Sequence, residues 1–252
     1  MQQFLIGLQF LTRIQVVTQT VWTEEDFGKS VRYFPLVGAV LGAIYGLVAW
    51  GATYLLPQVG VVLPHHLLLA VMVALPIILT GGIHCDGFMD TVDGIFSGRE
   101  RERMLEIMKD SRVGAFGVVA FVLLVMFQYS ALADVPEVDL PAAMFVMPII
   151  SRMMMVMAIS LYPYARKEGM GKAFSEYSSK KTFILVFIYG LALVLPWGVK
   201  ALIAVLVSLL FTACFCNYVT KKLGGVTGDV YGAVCTLCEL LVLIAFTCKI
   251  PF

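Results

Sequence analysis

Apolar residues along this chain come in blocks long enough to cross a bilayer, separated by short polar loops. Reading apolar runs of about 17 to 25 residues as spanning helices places spans at 34–56, 66–84, 113–133, 140–162, 182–197, 199–219 and 229–248. The expected fold class is all-α, a polytopic membrane helix bundle with about seven transmembrane helices. Residues 1–252 are read as one integral membrane domain. The fifth run is short, and Pro196-Trp197-Gly198 after it predicts a tight turn. Phe4 to Arg13 is too short to span and contains Gln9, so it is expected to lie at the interface. It has neither the basic start nor the small-residue cleavage site of a secretory signal.

Composition agrees with the pattern: hydrophobic residues make up 60% of the chain, and mean hydropathy is +0.90. That leaves too little polar surface for a soluble globule. The placement of basic residues orients the bundle, because Lys and Arg of short loops stay on the cytoplasmic side. Arg13, Lys29 and Arg32, then Arg99 to Arg112, Arg166 to Lys181, and Lys221 with Lys222 all fall on one face. Lys200 and Lys249 fall on the other, with the acidic loop Asp134, Glu137, Asp139. The N-terminus is therefore expected in the cytoplasm and the C-terminus outside. Scattered loop charges and a net charge of +1 form no basic stripe, so nucleic acid is excluded as a partner.

Against this apolar background, Gly81-Gly82-Ile83-His84-Cys85-Asp86-Gly87-Phe88-Met89-Asp90-Thr91-Val92-Asp93-Gly94 gathers three carboxylates. On a helix, offsets of four and seven put Asp86, Asp90 and Asp93 in a narrow arc of one face. Like charges so placed repel. They call for a hard divalent cation such as Mg²⁺, which takes oxygen ligands and often holds substrate phosphates, or for protonation of one member. A solvated acidic helix end is the plainer reading, but Gly82 and Gly87 also let backbone approach a ligand.

A second element, Gly224-Gly225-Val226-Thr227-Gly228-Asp229, repeats the order Gly-Gly, three residues, Asp. It reads either as the trace of an internal repeat or as chance, and Asp229 either as a functional carboxylate or as a helix cap. Residues 99–112 read as an amphipathic helix. Arg99, Arg101 and Arg103 are lipid-headgroup contacts on this view. Lys109 and Arg112 adjoin the glycines at 114 and 117 and suit a phosphate. Arg152 and Glu239 fall inside spans, where charge is costly, so either they pair or Arg152 faces an anionic substrate. Five of the six cysteines lie in spans, and Cys235-Thr236-Leu237-Cys238 is read as helix packing. His65 and His66 are read as interfacial.

These residues resemble a known family, the cobalamin synthases or adenosylcobinamide-GDP ribazoletransferases. The resemblance covers essentially the whole chain. It rests on Phe10-Leu11-Thr12-Arg13, Tyr33-Phe34-Pro35-Leu36-Val37-Gly38, the carboxylate run from Gly81 to Gly94, Met104 to Gly114, Ser151-Arg152, Glu168-Gly169-Met170-Gly171 and Gly224 to Asp229. Where this chain has Cys85 the family pattern usually has Leu. The resemblance implies an Mg²⁺-dependent phosphotransferase in the cytoplasmic (inner) membrane of a bacterium or archaeon. Such an enzyme would move the cobinamide-phosphate group of adenosylcobinamide-GDP to α-ribazole or α-ribazole 5′-phosphate and release GMP. This is the last assembly step of the cobalamin nucleotide loop. Asp86, Asp90 and Asp93 would then hold Mg²⁺ on the pyrophosphate, and Asp229 would be a ligand or a base. Lys109 and Arg112 would neutralise the leaving nucleotide. Arg152, Gly82, Gly87, Gly225 and Thr227 would complete the substrate site. Membrane lipid is an expected partner, and homo-oligomerisation is left open. A CDP-alcohol phosphotransferase is the alternative enzyme, although its pattern fails at Met89-Asp90. A transporter is the alternative class.

Overall fold

The computed structural model describes residues 2–17 and 22–249. The chain runs as α1 (Gln2–Leu11), α2 (Glu24–Lys29), α3 (Phe34–Trp50), α4 (Leu56–Gln58), α5 (His65–Thr80), α6 (Ile83–Phe96) and α7 (Arg101–Ile107). It continues as α8 (Ala115–Asp134), α9 (Leu140–Leu161), α10 (Met170–Glu176), α11 (Lys180–Val194), α12 (Gly198–Leu223) and α13 (Gly228–Thr247). The described residues contain no named strand, only a single parallel bridge between Tyr164 and Val226.

By length and hydropathy the described residues hold five helical stretches able to cross a membrane, or six if α5 and α6 count as one broken span. A count of seven is not established: Lys180–Leu223, which holds α11 and α12, counts as one stretch, and the 16-residue α5 counts only together with α6. The C-terminal end expected outside includes residues 250–252, which lie beyond the described part.

Helix α9 is the axis of the bundle, buried along nearly its whole length, with α3, α13, α11 and α12 packed around it. Gly38, Gly42 and Gly46, spaced by four, bring the α3 backbone against the carbonyls of Pro148, Phe145 and Pro141. Small residues at that spacing let two helices approach closely where no hydrophobic driving force separates them from lipid. Helix α1 buries Ile6, Leu8 and Leu11 against the start of α3, so it rests on the bundle.

The departure that matters for function is at Gly81-Gly82. The second apolar run does not continue to residue 84. It stops at Thr80, two consecutive glycines take φ +64° and +74°, and α6 leaves at 91° to α5. Residues with a Cβ are strained in that left-handed region. Helix α6 then packs between α13 and α8, so the carboxylate run is part of the bundle and not of a free loop.

Candidate functional site

Two helix starts meet at one end of the bundle. Helix α6 begins after Gly81-Gly82, and α13 begins after Gly224-Gly225, where Gly224 also has positive φ and ends α12. The resemblance between the two elements is thus structural: each is a helix end, a glycine break and a new helix with an aspartate in its first turn. Gly87 lies on Asp229, where an added Cβ would come within 2.8 Å of the Asp229 carbonyl, and Gly232 lies on His84.

Asp229 is held on several sides. Thr227 is the N-cap of α13; its hydroxyl accepts the Val230 N–H and donates to Asp229 Oδ2 at 3.2 Å. Arg166 Nη2 donates to the same oxygen at 2.6 Å. Arg166 is placed by backbone pairing, since Ala165 N–H donates to the Val226 carbonyl and Val226 N–H to the Pro163 carbonyl, both at 2.8 Å. Gly225 permits this approach, because a side chain there would collide with the Pro163 carbonyl. Gly87 and Gly225 thus make chain-to-chain contacts, while Gly82 lines a cavity.

Asp86, Asp229 and Arg166 line one cavity with Tyr164, Phe174 and Tyr231. Burial pushes the Tyr164 phenol up from its ordinary value. Asp86 also lines a second cavity, with Arg13, Gly81 and Gly82. Asp90, half buried one turn along α6, feels the charges of Asp86, Asp229 and Asp93, opposed by Arg166. Three carboxylates, Asp86, Asp90 and Asp229, therefore share one region, with Arg166 paired to Asp229 and Arg13 in the cavity beside Asp86.

Asp93 is not presented in the way its spacing suggested. Seven residues carry it about 10 Å along the helix axis from Asp86, and there it meets the start of α8. Its carboxylate is 7% exposed and accepts the Gly114 N–H at 2.7 Å on Oδ2 and the Gly117 N–H at 2.9 Å on Oδ1. A carboxylate at a helix N-terminus takes up orphan amides and complements the helix dipole. Of Asp86, Asp90 and Asp93, it is Asp93 whose two oxygens are both engaged by backbone amides of α8. Among the described residues no three or more His, Cys, Asp or Glu side chains form a ready metal cage.

The expected basic residues are also redistributed. Lys109 and Arg112 are exposed and line neither cavity. The Arg112 side chain is 87% exposed and forks onto Asp110 at 2.8 and 3.0 Å, which holds that carboxyl down at about 2. Arg152 is fully buried, paired with Glu239 and donating to Ser151 Oγ at 2.9 Å, so of its two readings the ion pair is the observed one. Arg101, expected at lipid, has protein partners: its Nε donates to the Leu223 carbonyl at 2.6 Å and its Nη2 to the Ala165 carbonyl at 3.3 Å. It closes the end of α12 and ties α7 to the loop that carries Arg166. In the sequence Arg166 shows only as one of the loop charges that orient the bundle; the pairing of 163–165 with Val226 is long-range and leaves no local spacing.

Fold and cleft together define an all-helical protein with span-length apolar helices and a carboxylate–arginine site at one end. The cobalamin-5-phosphate synthase family model matches residues 3–247, and the chain belongs to that family. A protein of Desulfitobacterium hafniense called an adenosylcobinamide-GDP ribazoletransferase is 41% identical, over 97% of this chain and 96% of its own length. Proteins of the same description from Brevibacillus brevis and Clostridium acetobutylicum are 38% and 37% identical, each covering more than nine-tenths of both chains. No solved structure matches. Family membership sets aside the CDP-alcohol phosphotransferase and transporter readings.

Proposed function

We propose that this chain transfers the cobinamide-phosphate group of adenosylcobinamide-GDP to α-ribazole or its 5′-phosphate. A hydroxyl of the nucleoside forms a new P–O bond to the corrinoid-linked phosphorus, the P–O bond to GMP breaks, and the hydroxyl proton leaves to a base. The observation that carries the reading is the convergence of Asp86, Asp229 and Arg166 on one cavity in a chain of this family.

The donor set fits Mg²⁺. Asp86, Asp90 and Asp229 offer hard oxygen atoms, and the lack of a complete protein cage suits an ion that keeps waters and binds through one or two carboxylates plus substrate phosphates. When bound, Mg²⁺ would neutralise pyrophosphate charge. The chain's own residues do the rest by positioning and charge. Arg166, fixed by the Val226 pairing, stabilises phosphoryl oxygens at the cleft. Asp229 has Oδ2 committed to Arg166 and Thr227, which orients Oδ1 as the base or ligand oxygen. Asp93 does not touch the reacting atoms; it anchors α8 to the face of α6 that carries the others.

The site end is assigned to the cytoplasmic face, since the basic loops lie there and both substrates are nucleotide-like. Purified protein incubated with adenosylcobinamide-GDP, α-ribazole 5′-phosphate and Mg²⁺ should give a product of the cobalamin 5′-phosphate mass together with GMP. Absence of both products in the presence of folded protein refutes the assignment.

A further inference from the structure

The two cavities meet at Asp86, Ile83 and Phe10, and each holds one arginine. The two arginines differ in charge balance. Arg166 is already neutralised by Asp229 at 2.6 Å. Arg13 has no ion pair and no side-chain hydrogen bond among the described residues. Its backbone N–H donates to the Leu79 carbonyl at 2.7 Å, which ties it to the end of α5. Its guanidinium lies against Gly81, occupying the space a side chain there would need. A guanidinium without a charged partner among the described residues, held over a left-handed glycine in a cavity that also contains Asp86, is a positive charge beside the proposed reaction centre.

The walls differ in aromatic content. The Arg13 cavity has Phe10 and Phe121 with Gln9, Thr12 and Thr80. The Arg166 cavity presents Phe10, Tyr164, Phe174 and Tyr231 beside an arginine already paired with Asp229. A polyanion is drawn to the unpaired cation, and a flat heteroaromatic group to the aromatic wall.

We infer that Arg13 is a phosphate-binding residue, and that its cavity takes the nucleoside diphosphate end of the donor substrate while the Arg166 cavity takes the incoming nucleoside. The phosphorus under attack then sits at Asp86, the residue common to both. The inference rests on the functional reading above. Because Arg13 stands just past the end of α1 and is exposed, a lipid phosphate could supply the same chemistry, and the test separates the two sources.

The experiment compares wild type with Arg13→Ala and Arg13→Lys. In steady-state turnover in detergent, Arg13→Ala should raise KM for adenosylcobinamide-GDP and the inhibition constant for GMP by about 10- to 100-fold, the range for one charge-assisted hydrogen bond. KM for the α-ribazole substrate should stay within about twofold, and Arg13→Lys should recover part of the loss because charge remains without the fork. Equal changes in both KM values, or a change only for α-ribazole, overturn the inference. Calorimetric titration of GDP with Mg²⁺ into each protein reads the site without turnover. A wild type that binds GDP more tightly than Arg13→Ala but makes no product refutes the functional reading alone; equal GDP binding refutes this one. In nanodiscs with and without phosphatidylglycerol, loss of an anionic-lipid effect in Arg13→Ala with unchanged GDP binding would assign Arg13 to lipid and overturn the nucleotide assignment.

Discussion

Replacing Asp93 by asparagine perturbs both oxygens of a buried carboxylate at once. Each accepts a backbone amide at the start of α8, from Gly114 and Gly117. Asparagine keeps one acceptor, but its NH₂ then faces the remaining N–H, donor against donor. The loss comprises one hydrogen bond to a charged acceptor, about 1.5–3 kcal/mol, and the helix-terminus interaction, about 0.3–1 kcal/mol. The sum is on the order of 2–4 kcal/mol. For a chain of this size that is a fall in Tm on the order of 10 °C. Asp93→Glu should not rescue it, because Gly114 and Gly117 lie directly on the carboxylate and leave no room for another methylene. The assay is thermal unfolding in detergent, followed by tryptophan fluorescence, with and without Mg²⁺. The same fall should appear in both conditions. An Asp93→Asn protein that melts like wild type, yet needs far more Mg²⁺ for turnover, would show that Asp93 is a metal ligand and refute the anchoring role.

Asp90→Asn should behave in the opposite way: turnover lost, protein folded, and Tm without Mg²⁺ held or raised, because a neutral amide relieves repulsion from Asp86 and Asp229; activity near the wild-type level would remove Asp90 from the site. Arg166→Ala should lower kcat by a factor on the order of 10², whereas Arg112→Ala, exposed and paired only with Asp110, should change kcat less than about twofold; the reverse ranking in steady-state kinetics would return the phosphate role to Arg112. Arg101→Ala, which frees the Leu223 and Ala165 carbonyls, should cost about 1–3 kcal/mol of stability and speed proteolysis between residues 163 and 226; unchanged digestion would mean that the clamp is unimportant. Single cysteines at 100 and 138, in a background without the six native ones, should be labelled by an impermeant reagent in intact cells only at 138.

Hydrophobic run length alone was enough for the all-helical class and most span positions, because a bilayer demands long apolar helices whatever their neighbours. Residue types alone marked Asp86, Asp90 and Asp229, since carboxylates between apolar runs have few structural uses. Three things depended on the fold. The break at Gly81-Gly82 was legible as a glycine pair, but its 91° turn depends on what α6 packs against. Asp93 shares a helical arc with Asp86, yet periodicity fixes direction around an axis and not which neighbour waits about 10 Å further along it. Arg112 and Arg166 are both loop arginines in the sequence. Only the pairing of Pro163 to Ala165 with Val226, some sixty residues later, carries one of them to Asp229 and leaves the other in solvent. Local pattern determines what each segment must be; long-range packing decides which side chains meet.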